Sequence, residues 1–390
     1  MSGCWVCSEA SVIIQAFLRW VETARTGDRV RAAAALGRAY VAADMNSLDD
    51  HAAEMAMTFL LDDPSPKVRL ALAQALAGSS RIPRPLILSL AEDQPEIAYT
   101  VISCSPVLSD ADLVDLAARG TVETRAVIAA RPHVSYPIAA AIAEIGGEEE
   151  ASILLENHGA EISGRTLKRL SDRLGHLCAV RNLLLERSDL PADARHALVE
   201  KVGAALSGFA LVQAAIGEGR VARITREACD RAAVGMAGGA EAAQLPVLVE
   251  HLRASGRLTP AFLLHALCSG KVDFFAAAIG DLAALGDKRV RSILSDGRVH
   301  AMRALFESAG LGRDVSALFA EAMLIWRREN RSGAAGATTS ISAVLLSKLR
   351  GGRQATNASG SLADMIERLA IAEQRQSARD YALLAARQAA

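Results

Sequence analysis

Between Leu61 and Ala77 the apolar residues Val68, Leu72 and Leu76 fall at every fourth position, the spacing of one face of an α-helix. Asp63, Pro64 and Pro66 punctuate the entry to this stretch. Pro66 suits a first helical turn, because its missing N–H would have no partner there. The plan recurs in Leu90–Pro106, with Pro95, Ile97 and Val101 in the places of Pro66, Val68 and Leu72, and again in Leu116–Pro132. Complementary helices lie between these copies. Ser109 is placed as an N-cap with Asp112 three residues on and Gly120 as terminator, and Ser135 and Gly146 repeat that arrangement.

A recurrent dipeptide marks the repeats: an aliphatic residue followed by Ser, Thr, Asp or Pro, at Leu48, Ile82, Leu108, Val134, Ile162, Leu190, Ile224 and Leu258. The intervals are roughly 26 to 34 residues, the period of stacked helical hairpins. One hairpin cannot bury its own apolar stripe, so stability has to come from stacking on its neighbours. The expected fold is all-α, an α-solenoid of helical hairpins with a linker and a C-terminal helix. Residues 1–47 read as N-terminal capping helices and 48–328 as the repeats. Residues 329–360, rich in Gly, Ala, Ser and Thr around one apolar stretch at Ile341–Leu349, read as a flexible linker, and 361–390 as a final helix.

Composition sharpens this picture in one respect. The chain is 51% hydrophobic with only 4% aromatic residues, and the abundant Ala both favours helix and lets helices approach closely. A formal net charge of -1 supplies no overall field for nucleic acid or anionic lipid. No apolar run approaches bilayer length, so a membrane partner is not expected. Cys4, Cys7, Cys104, Cys178, Cys229 and Cys268 are mostly isolated in Ala- and Leu-rich stretches, which suits free buried thiols in a reducing, cytoplasmic setting.

Motifs that would carry chemistry are weak. Cys4-Trp5-Val6-Cys7 has the spacing of a zinc or redox half-site but lacks a second pair or a βαβ context. The histidines are scattered without a His-Glu dipeptide, and Glu148, Glu149 and Glu150 read as a solvated first turn favoured by the helix dipole. Ser269-Gly270-Lys271 lacks the upstream glycine of a phosphate loop, and no nucleophile elbow is present. No catalytic residue, metal or cofactor is expected.

The Asp-Pro-x-Pro-x-Val-Arg run at Asp63–Arg69 resembles the second helix of a HEAT repeat. Together with Pro95-Glu96-Ile97, Ser105-Pro106-x-Leu108-Ser109, Ala129-Ala130-Arg131-Pro132 and Asn157–Ser163, it resembles an uncharacterised, mainly alphaproteobacterial family of HEAT-like proteins, a domain of unknown function. The resemblance covers about Leu48 to Leu311 and implies a bacterial cytosolic α-solenoid without catalytic residues to transfer. Ala98 and Thr124 stand where Arg69 does, which interrupts the Asp–Arg ladder of ordinary HEAT repeats.

The expected function is a non-catalytic scaffold that binds a protein or peptide in a regulatory or assembly role. The alternative is a nucleic-acid-binding array, with Arg119, Arg125 and Arg131 as the first contacts; the nearby Asp110, Asp112 and Asp115 favour a mixed solvated face instead. Leu362, Met365, Ile366 and Leu369 are expected to dock the final helix on its own chain. Glu373, Gln376 and Asp380 break the seam that tail-mediated oligomerisation would need.

Overall fold

The computed structural model describes residues 16–17, 19–42, 47–332, 340–351 and 357–389. Cys4 and Cys7 lie outside them. Among the described residues the structure is all helical, with no strand beyond one isolated parallel bridge between Val134 and Ala160. The chain divides into two compact units at Leu190/Pro191, a boundary that lies inside the span read as one array.

The first unit holds helices α1 (Thr26–Ala42), α2 (Ser47–Leu61), α3 (Pro66–Leu76), α4 (Arg84–Ala91), α5 (Pro95–Ile102), α6 (Asp110–Arg119), α7 (Val122–Ala129), α8 (Tyr136–Ile145), α9 (Glu148–Glu156), α10 (Gly164–Leu174) and α11 (Cys178–Glu186). Odd-numbered helices pack each on the next odd-numbered one, from α1 on α3 to α9 on α11, and among the even-numbered helices α2 packs on α4, α6 on α8 and α8 on α10. The aliphatic residues before the caps, Ile82, Leu108, Val134 and Ile162, are buried and fix each entry. Ser109 and Asp112 form the expected capping box. Ser135 does not cap its helix; its hydroxyl instead donates to Asp110 of the preceding hairpin, 2.6 Å away.

Arginines at the fourth helical position stitch the hairpins together. Arg29 pairs with Asp63 at 2.8 Å and Arg69 with Asp93 at 2.6 Å, each also donating to a backbone carbonyl just before its own helix. In α7 the equivalent is Arg125 rather than Thr124, because Thr121 caps and Val122 opens the helix. Arg125 donates to Gly120 O at 2.9 Å and to Glu150 at 2.8 Å. Ala98 in α5 does leave a gap in this ladder. Glu150 is therefore no solvated residue: its side chain is 2% exposed. Burial pushes its carboxyl upward, yet the hydrogen bonds from Arg125 and from the Gly147 and Glu150 backbone hold it below the usual range.

The second unit holds α12 (Ala192–Ser207), α13 (Ala210–Ile216), α14 (Glu218–Gly239), α15 (Leu245–Ala254), α16 (Pro260–Cys268), α17 (Val272–Leu282), α18 (Asp287–Asp296), α19 (Val299–Ser308), α20 (Arg313–Ser332), α21 (Ile341–Gly351) and α22 (Asn357–Ala389). Ile224-Thr225, read as a helix start, lies inside α14, where Thr225 shares the inward face with Val221 and Cys229. The core centres on stacked and edge-on rings of Phe275, Phe306 and Phe319, with Phe262 against Phe274. The stretch expected to be a linker contains α21, and α20 runs through Ser332. Ile341 and Leu345 enter the same core as α16, α17 and α20, so the apolar stretch of that segment is a packed helix.

Candidate binding groove in the second unit

A concavity of the second unit lies between α15 and α17 and holds about 750 Å³. Leu245, Pro246 and Val249 form one wall and Ala276, Ala277 and Gly280 the other. Its rim residues Ala242, Pro246, Asp281, Ala284 and Asp287 are exposed, so it is an open cleft. Small residues on α17 make the depth. A Cβ at Gly280 would stand 3.1 Å from Leu285 O, which leaves that wall little room to grow.

A second cavity of about 460 Å³ continues along the other side of α17, lined by Val272, Leu294, Met323 and Trp326 among others. Ala276 and Arg291 belong to both cavities. Arg291 stands between them, bonded to Asp273 at 2.5 Å and Asp287 at 2.8 Å, and these carboxylates raise its pKa further. The groove thus has apolar walls with the Arg291, Asp273 and Asp287 cluster at its midpoint, while Asp281 lines the first cavity and Arg327 and Asn330 the second.

Backbone strain marks the same rim. Ala284 has φ of 53°, the one described non-glycine residue with positive φ. It occupies the left-handed position that ends α17, where Leu285 N–H reaches back to Gly280 O at 2.9 Å. Glycine is the residue that fits there without cost.

A buried polar cluster lies apart from the groove. His196 of α12, only 1% exposed, has Nδ1 3.2 Å from Nε2 of His251 on α15. Its Nε2 lies 3.7 Å from Glu200, and Arg257 bridges Glu200 and Asp230 at 3.0 Å each. Burial, and then the neighbouring His251 and Arg257, push the His196 pKa down to about 4. His196 is therefore a neutral imidazole near neutral pH, hydrogen-bonded to the ring of His251. Among the described residues, no group of three or more His, Cys, Asp or Glu side chains is placed to hold a metal. Nothing local in the sequence couples two histidines 55 residues apart.

The residues singled out from the sequence fall in two places. Arg119, Arg125 and Arg131 all belong to the first unit, but they do not form one patch. Arg119 is exposed, 3.6 Å from Glu92. Arg125 is engaged with Glu150, and Arg131 donates to the carbonyls of Ile102 and Ser105, with burial lowering its pKa. Of the tail residues, Leu362 and Ile366 are buried in the second unit's core, while Met365 and Leu369 line a cavity of about 110 Å³ with His265 and Asp230. Glu373, read as an interruption of the seam, accepts hydrogen bonds from Ser340 and Ser342. The side chains of Gln376 and Asp380 lie outside those described. The cysteines also split: Cys229 and Cys268 are buried, the latter with its thiol pushed up to about 12 by burial and Glu373, whereas Cys104 and Cys178 are exposed.

These features define an all-helical protein with an open apolar groove in one unit. No helix among its described residues is long and apolar enough to cross a membrane. The chain belongs to a bacterial family described as "Uncharacterised protein conserved in bacteria (DUF2336)", whose model matches residues 97–357. No curated protein and no solved structure matches it.

Proposed function

We propose that this chain is a non-catalytic, HEAT-like helical-repeat scaffold whose second unit holds a segment of a protein partner in the groove along α17. The observation that carries this reading is the pair of cavities sharing Ala276 and Arg291. An extended or helical peptide has the length to lie across both, placing apolar side chains in each and a polar group at Arg291, in the manner of helix-in-groove recognition. The strained Ala284 on the rim supports the same location, since such backbone outliers gather at binding sites. A cytoplasmic, regulatory or assembly role fits a surface of this kind.

For the alternative, contact with nucleic acid, the geometry offers little, because two of the three candidate arginines are consumed within the first unit. The test is affinity purification of the full chain from its bacterial source beside two groove variants, Ala277→Trp and Arg291→Glu. One partner retained by the parent and lost by both variants is the expected outcome. A partner set that neither variant changes would refute the groove as the binding site.

A further inference from the structure

The stretch joining α12 to α14 exposes an apolar surface that the groove does not use. Leu211 is 86% exposed, Phe209 57%, Leu206 53%, Ile224 47% and Ile216 46%. They sit on elements that pack together: α13 is a seven-residue helix, about 10 Å long, and both it and α12 pack on α14. Gly208, still in a right-handed helical conformation, precedes it, and Gly217, with φ of 89°, follows it in a conformation that glycine adopts without cost. The one polar residue of α13, Gln213, donates back to Ser207 O at 2.7 Å. The outward face of the helix is left wholly apolar. From 204 to 220 only Ser207 and Gln213 are even half-buried among the described side chains, so the segment protrudes.

The flanking charge is mainly positive. Arg220, Arg223 and Arg226 on the first turns of α14 are exposed. Of the two acids beside them, Glu218 is exposed and Glu227 is paired with Arg368 at 2.6 Å. A protruding apolar tip bordered by cations is complementary to the surface of an anionic bilayer, where apolar side chains enter the acyl boundary and cations meet headgroup phosphates. Pairing of two copies through this surface is the poorer fit. The patch offers on the order of 500 Å², short of the roughly 800 Å² per partner of a stable interface, and a two-fold would set like charges against each other.

We propose that the α13 protrusion is a peripheral docking site for anionic lipid membranes, independent of the groove and of any partner held there. The experiment is co-sedimentation of the full chain with vesicles of phosphatidylcholine alone and of phosphatidylcholine mixed with phosphatidylglycerol. Binding to the mixed vesicles only, weakened at about 0.5 M salt, is expected. Phe209→Ser with Leu211→Ser should weaken it at least about tenfold, and Arg220→Gln and Arg223→Gln about fivefold each. Equal binding to both vesicle types, no binding, or mutants that bind like the parent would overturn the proposal. So would light scattering showing a dimer that Phe209→Ser with Leu211→Ser dissociates while vesicles are ignored. Should the double variant fail to fold, the lipid and salt dependence of the parent and the arginine variants still decide the matter.

Discussion

Acid should weaken the second unit in a way that can be traced to single imidazoles. His196 has its pKa lowered from 6.5 to about 4 by burial, then by His251 and Arg257. His265 is likewise lowered to about 4 by burial and then by Arg231. The unfolded chain takes up each proton near pH 6.5 and the folded chain only near 4, so between these values the unfolded state holds more protons. Stability is therefore complete above about pH 6.5 and falls as pH drops through that window. Each shift corresponds to about 3 kcal/mol in full, of which about 2 kcal/mol is lost by pH 5, or about 4 kcal/mol for both imidazoles. That is a large share of the stability of an ordinary domain. Because the chain has two units, hydrogen exchange read by mass spectrometry in rising denaturant is the suitable assay, since it reports each unit separately. His196→Gln, which keeps a hydrogen-bonding group opposite His251, should remove about half of the loss between pH 7 and 5, whatever it does to stability at pH 7. If the variant and the parent lose the same stability over that interval, the buried imidazole is not the origin and the reasoning fails.

Three further outcomes follow from the packing. Ala284→Gly should stabilise the second unit by about 1 kcal/mol, raising its melting temperature by about 2–4 °C in calorimetry, because the left-handed φ costs alanine but not glycine; a drop in melting temperature would contradict this. Arg125→Ala should destabilise the first unit by about 3 kcal/mol in urea titrations by stranding the buried Glu150, and Glu150→Gln on that background should recover part of it. Phe275→Ala, which empties the middle of the ring cluster, should cost the second unit about 3–5 kcal/mol.

Much of the helical plan is legible in the chain because its causes act within four residues. The period of Val68, Leu72 and Leu76, the proline at Pro66, and the capping box of Ser109 and Asp112 all report neighbours along one helix, and the helices stand where these signals put them. Even the repeat length has a structural counterpart. The bonds that join hairpins, such as Arg69 to Asp93 and Arg131 to Ser105, span 24 and 26 residues. What each charge does at that range was not legible. Glu150 looks like a solvated dipole-favouring acid until α7 brings Arg125 against it, and Arg131 looks like a free cation until the preceding hairpin turns its carbonyls toward it. Composition similarly concealed α21, whose short apolar stretch lies among Gly, Ala and Ser and gains its helix by packing into a core built from α16, α17 and α20. The His196–His251 couple, the groove and the break at Leu190 are purely tertiary. They depend on which helices meet, and a pattern confined to a few residues on one helix carries no record of its distant neighbours.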